Sequence, residues 1–189
     1  MTAVPSASQT VGPFFNFALT ADPSLGIVAG PEAEGERIRL KFRVVDGCGE
    51  PTPGDSLIEV WQADAQGRYR HPMDPLASQA DPAVRGFGRL ETAVDGTCVF
   101  ETVKPGPISG GVVQAPHVNV LVFARGLLKP LHTRVYFDGE MLNASDKVLS
   151  LVPDDRRATL LAKRLPEDAG SWFLEIRLQG DPETVFFDV

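Results

Sequence analysis

The chain has 189 residues, 43% hydrophobic and 23% charged, which suits an ordinary globular protein with a sizeable core. Acidic residues outnumber basic ones, 25 to 18, for a net charge of −7, and that balance argues against a nucleic-acid partner, which needs a basic face. No apolar run approaches the ~18 residues that span a bilayer, and the opening MTAVPSASQT lacks the basic end and apolar middle of a secretion signal, so a cytoplasmic protein with no membrane contact is expected.

Residues 1–36 are rich in Pro, Gly, Ala and Ser and contain one apolar knot, TVGPFFNFAL. Phe14, Phe15 and Phe17 on such an arm need cover, either from the same domain or from a partner chain, because large exposed apolar patches are rare on monomers. From residue 37 the pattern turns to strand. RIRLKFRVVD places Ile38, Leu40, Phe42 and Val44 on one face and Arg37, Arg39, Lys41 and Arg43 on the other, the period of two that a half-buried strand requires. DGCGEPTPGD is a turn-rich connection and SLIEVWQAD a second strand. GRLETAV and CVFETV, separated by DGT, predict a hairpin with a glycine-containing loop.

HVNVLVFAR and HTRVYF follow, then SWFLEIRLQ with Trp172, Leu174, Ile176 and Leu178 on one face, and TVFFDV near the end. One helix is expected, in PDDRRATLLAKRL (153–165), where acidic residues at the start and basic ones near the end suit the helix dipole. Many short strands with turns between them predict an all-β, mixed-strand β-sandwich, a single domain over 1–189 with a long N-terminal arm and one short helix. Cys48 and Cys98 are isolated; both are expected to be buried and reduced. The N-x-S triplet at Asn143 is a chance match if the chain is cytoplasmic.

No phosphate loop, C-x-x-C pair, H-E-x-x-H or G-x-S-x-G motif is present. The three histidines, His71, His117 and His132, are each more often structural than catalytic when taken alone. Strand 117–125 is more informative. Its period of two puts Val118, Val120, Val122 and Ala124 on a plain core face, and His117, Asn119, Leu121, Phe123 and Arg125 on the other. That mixed face suits a semi-buried surface such as a subunit interface.

The segments LIEVWQADAQGRYRHP, TVKPGP, APHVNVLVFARGL and HTRVYFDGE resemble the intradiol aromatic-ring dioxygenases, and the similarity runs from SQTVGPFF to ETVFFDV. The resemblance implies a β-sandwich on which two tyrosines and two histidines hold a ferric ion, Fe(3+); phenolate oxygen is a hard donor suited to that ion. Carried over position by position, the ligand sites fall on Tyr69, Ile108, His117 and Asn119. Isoleucine has no donor, so this chain is expected to bind no cofactor itself. The family includes assemblies of two homologous chains, and the departures here are those of the α kind. The resemblance therefore implies a homologous iron-binding β chain as partner, a hetero-oligomer of αβ units, and protocatechuate and O2 as substrates. It also implies substrate-pocket roles for Arg125, whose guanidinium suits an aromatic carboxylate, and for Thr10, Gly12 and Pro13 on the arm. Tyr69 and His117 are then expected to keep hydrogen-bonding or packing roles. Two other readings remain open at this point: a metal-free binding module without a catalytic partner, and a dioxygenase that recruits His71 or His132 to the metal.

Overall fold

The computed structural model describes residues 7–10, 12–52 and 56–188, and of 13–16 the backbone only. Eight strands carry the fold: β1 (Arg37–Val45), β2 (Ser56–Gln62), β3 (Phe87–Glu91), β4 (Thr97–Val103), β5 (His117–Ala124), β6 (Leu131–Phe137), β7 (Leu161–Leu165) and β8 (Asp168–Arg177). They run in the order β3-β2-β5-β6-β7-β8-β1-β4. One half is β3-β2-β5-β6, the other β7-β8-β1-β4. A parallel junction of β6 with β7, Tyr136 opposite Leu161 and Phe137 opposite Ala162, connects them. The β1–β8 pair is also parallel, and the remaining ladders are antiparallel. The result is the mixed-strand sandwich that the sequence predicts.

The core lies between the two halves, and alternation is what fills it. Ile38, Leu40, Phe42 and Val44 of β1 meet Val118, Val120 and Val122 of β5 and Trp172, Leu174 and Ile176 of β8 in one buried cluster. Phe42 packs edge-on against Phe100 at 6.0 Å, and Phe137 against Trp172 at 5.0 Å. Each such side chain contributes roughly 1.5–3 kcal/mol on leaving water.

Four expectations need correction. The glycine-containing turn between β3 and β4 exists, with Gly96 N donating to Ala93 O at 2.8 Å, but the strands do not form a hairpin ladder: β3 pairs with β2 and β4 with β1. The turn instead carries the chain from one half of the sandwich to the other. Segment 153–165 is not a helix. It makes one 3-10 turn, Arg157–Leu160, and then becomes strand β7. Leu160 and Ala162 are fully buried there, and pairing with β6 and β8 overrides a charge pattern that only suits a helix locally. Cys48 is exposed, because it sits at the tip of the tight turn closed by Gly49 N to Asp46 O; Cys98 is buried as expected, and burial pushes its thiol up to about 12. TVFFDV is no strand; it makes one isolated bridge, Phe187 to His132.

Two helices went unpredicted: α1 (Pro13–Thr20) in the arm, and the single turn α2 (Lys147–Ser150), capped by the Asp146 side chain on Val148 N and Leu149 N. Phe17 of α1 is 66% exposed. The side chains of Phe14 and Phe15 lie outside the described residues. Among the described residues no helix is long and apolar enough to cross a membrane.

Gln62 ties the two halves together at the end of β2. It is buried, its amide donates to Val103 O at 3.0 Å, and its carbonyl accepts from Thr102 Oγ1 at 2.9 Å. Gln62→Met keeps the volume and removes both bonds. It is expected to lower unfolding free energy by about 1–3 kcal/mol, read as a fall in the urea midpoint with unchanged slope; an unchanged midpoint would show the bridge to be dispensable.

Candidate functional site

Three strands place their side chains in a row on the outer face of the β3-β2-β5-β6 half. Register puts Trp61 of β2 opposite Asn119 of β5, and Asn119 opposite Arg134 of β6. One step along, His117 lies opposite Tyr136, and their rings stand 5.8 Å apart. Tyr69 comes from the turn after β2 and stacks on Trp61 at 5.8 Å and 8°. Its hydroxyl lies 3.5 Å from Asn119 Nδ2.

Close backbone approach brings that turn to the loop that carries Ile108. Gly67 has φ +78°, and a Cβ there would collide with the Pro107 carbonyl; a Cβ on Gly106 would meet the Ala65 carbonyl. Buried Asp64 holds the turn, accepting from Gln66 N and Arg68 N at 2.9 Å. Ile108 and Gln114 pair across the loop at 3.0 and 3.1 Å. Trp61, Tyr69, His71, Met73, Pro75 and Ile108 are among the residues lining an open cavity of about 400 Å³.

The polar centre of this constellation is Arg134. Its Nε donates to Asn119 Oδ1 at 3.0 Å and its Nη1 to Gln114 Oε1 at 3.0 Å. Burial, seconded by the Arg134 charge, holds the His117 imidazole down to about 4. Its Nδ1 lies 2.8 Å from Ala115 O, so the neutral ring carries its proton there. Burial pushes the Tyr69 phenol above its ordinary value, and Tyr136 to about 12; both stay protonated near neutrality. The Tyr136 hydroxyl is spent on Asp146 at 3.0 Å, the same carboxylate that accepts from Ala115 N at 2.8 Å.

These residues do not fit a ferric ion. Ile108 offers no donor, the Asn119 oxygen already accepts from a guanidinium, and a fixed cation stands among the side chains that would have to bind another. Among the described residues no group of three or more His, Cys, Asp or Glu is arranged to hold a metal. His71 packs edge-on to Trp61 at 6.0 Å, while His132 lies opposite Leu121 on β6.

Of the sequence-derived candidates, Tyr69, Ile108, His117 and Asn119 are brought together. Arg125 is not among them. It sits past the other end of β5, eight residues from His117, roughly 26 Å away at about 3.3 Å per residue. There it joins the arm: Gly126 N donates to Thr10 Oγ1 at 2.7 Å, and Thr10 and Gly12 line one cleft while Arg125 lines the next. Pro13 opens α1 at its first position; its side chain lies outside the described residues. Sequence reasoning missed Arg134, Gln114 and Asp146. Arg134 left a trace, a charge on the outward face of HTRVYF, but its partner follows only from the β5–β6 register.

A family model described as Dioxygenase matches residues 11–180. The protocatechuate 3,4-dioxygenase alpha chain of Burkholderia cepacia is 43% identical over 195 residues, covering 96% of this chain and 96% of its own. The protocatechuate 3,4-dioxygenase beta chain of the same organism is 34% identical over 149 residues, covering 77% of this chain and 63% of its own. Among solved structures, 3-chlorocatechol 1,2-dioxygenase of Rhodococcus opacus 1CP superposes with a TM-score of 0.64 at 20% identity, over 93% of this chain and 67% of that one, a likeness of fold.

The neutral His117 has a pH consequence. Its folded value, about 4, lies below the ordinary 6.5, so between those values the unfolded chain binds the proton first. The stability it protects is whole above about pH 6.5, falls as the pH drops through that window, and stops falling below about 4; the full loss is about 3 kcal/mol. In denaturant titrations at pH 7, 6, 5 and 4, the stability difference between wild type and His117→Gln should shrink by that amount. A constant difference would mean that His117 does not titrate in the window.

Proposed function

The chain belongs to the intradiol ring-cleaving dioxygenase family, and we propose that it serves there as the iron-free α subunit of a protocatechuate 3,4-dioxygenase. The observation that carries this reading is the Arg134 guanidinium bonded to Asn119 among the degenerate ligand positions. An enzyme of this family needs a ferric centre, and a chain that has filled its own with a cation depends on a homologue for it. Identity of 43% along nearly the full length of an α chain, with 34% to a β chain, supports a hetero-oligomer of αβ units in which the β chain carries Fe(3+).

The overall reaction is cleavage of 3,4-dihydroxybenzoate by O2. The carbon–carbon bond between the two hydroxyl-bearing carbons breaks, each new carboxylate takes one oxygen atom of O2, and 3-carboxy-cis,cis-muconate results. The ferric ion, held by the partner, supplies the activation of catechol and oxygen. This chain binds and orients. Arg125 offers a bidentate donor to the substrate carboxylate, and the arm segment with Thr10, Gly12 and Pro13 lines the pocket, where Gly12 and Pro13 let backbone come close to the ring. We assign the arm, 1–36, to the subunit contact; the exposed Phe17 supports that. The whole chain acts as one sandwich domain, in the cytoplasm.

Arg125→Ala, assembled with the iron-bearing partner, is expected to raise KM for protocatechuate and to leave iron content unchanged. A charge-assisted hydrogen bond is worth roughly 1.5–3 kcal/mol, or about a 10- to 150-fold loss in kcat/KM. A catechol without a carboxylate should lose much less. Equal losses on both substrates would make Arg125 a structural residue.

A further inference from the structure

Arg125 is the first central residue of a tight turn. Leu127 N donates to Ala124 O at 3.1 Å, and Gly126 has φ +96°, the signature of a type II turn with glycine in its second central place. A Cβ on Gly126 would meet nothing within 4 Å, so the backbone conformation, not lack of room, asks for glycine there. The N–H of Gly126 belongs to the peptide between Arg125 and Gly126. It donates to Thr10 Oγ1 at 2.7 Å, and the same hydroxyl reaches back to Ala124 O at a long 3.5 Å. A threonine hydroxyl can accept and donate at once, so one side chain from the arm grips the chain on both sides of Arg125.

We infer that Thr10 is a positioning residue: its hydroxyl staples the arm to the turn and fixes the base from which Arg125 presents its guanidinium to the substrate carboxylate. This rests on the carboxylate-binding role of Arg125 given above. An arginine on a loop tip must lose freedom when it binds an anion, and a base already held reduces that loss. The Thr10 hydroxyl thus acts through Arg125 and the arm, by a bond within this chain.

The test is a double-mutant cycle in the complex with the iron-bearing partner, using Thr10→Val, which keeps the branched shape, Thr10→Ser, which keeps the hydroxyl, Arg125→Ala, and Thr10→Val with Arg125→Ala. Thr10→Val is expected to lower kcat/KM for 3,4-dihydroxybenzoate by about 3- to 10-fold, the scale of one neutral hydrogen bond, chiefly through KM. Assembly size and iron content should not change, and the loss should be smaller on a catechol without a carboxylate. Thr10→Ser should restore the wild-type value, and Thr10→Val should cost nothing further once Arg125 is alanine. The inference is overturned if Thr10→Val leaves kcat/KM unchanged while Arg125→Ala lowers it. It is equally overturned if the loss persists in the Arg125→Ala background, if serine fails to rescue, or if Thr10→Val no longer assembles, which would make the hydroxyl an assembly element. An inert Arg125→Ala is a different result: it removes the carboxylate role of Arg125 itself, and the role of Thr10 goes with it.

Discussion

The contact between the Arg134 guanidinium and the Asn119 side chain decides what this chain can do. A metal centre needs donors with free lone pairs and a site that tolerates added positive charge. At this position the amide oxygen is already taken at 3.0 Å, and the cation is covalently part of the protein. The neighbouring groups settle around that charge. His117 stays neutral under burial and the nearby guanidinium, Tyr69 keeps its proton, and Tyr136 turns its hydroxyl to Asp146. A half-buried guanidinium with two amide acceptors is a stable arrangement, because those donors are paired instead of orphaned. The constellation therefore keeps the architecture of a ligand sphere, with a hydrogen-bonded arginine at its centre.

Strand β5 runs from this arrangement to the turn that carries Arg125. His117 opens it and Arg125 follows its last residue. Its inward face is pure core, with Val118, Val120 and Val122 at 1% exposure or less, so the strand is rigid along its length and its outer face can carry two separate polar groupings. One end meets the Trp61, Tyr69 and Arg134 cluster. The other meets the arm. Sites borne on a packed strand inherit its precision, whereas Arg125 sits in the turn beyond it, beside the bond from Gly126 N to Thr10 Oγ1 of the arm.

Alternation made much of this legible. Strands β1, β5 and β8 bury the residues that period two assigns to the core, and the ligand-like positions converge where the similarity to a known family puts them. What failed, failed for want of tertiary information. The Asp95–Gly96 turn is a sound local turn, but nothing local states that β3 will pair with β2 and β4 with β1. The charge pattern of 153–165 favours a helix in isolation, and only the need for a strand between β6 and β8 overrules it. Arg134 was visible as an outward charge on β6, yet its meaning depends on standing opposite Asn119, which is a fact of register. Cys48 was judged by residue type, and the tight turn of 46–50 exposes it.

The account rests on the claim that this chain has replaced its metal with Arg134. The most direct measurement is iron per chain after reconstitution with ferric ion, for this chain alone and for this chain co-purified with an iron-bearing homologous partner. The account predicts no stoichiometric iron and no tyrosinate-to-iron absorption in the isolated chain, with about one ferric ion per αβ unit in the complex. One ferric ion retained by the isolated chain, with that absorption band, would contradict it.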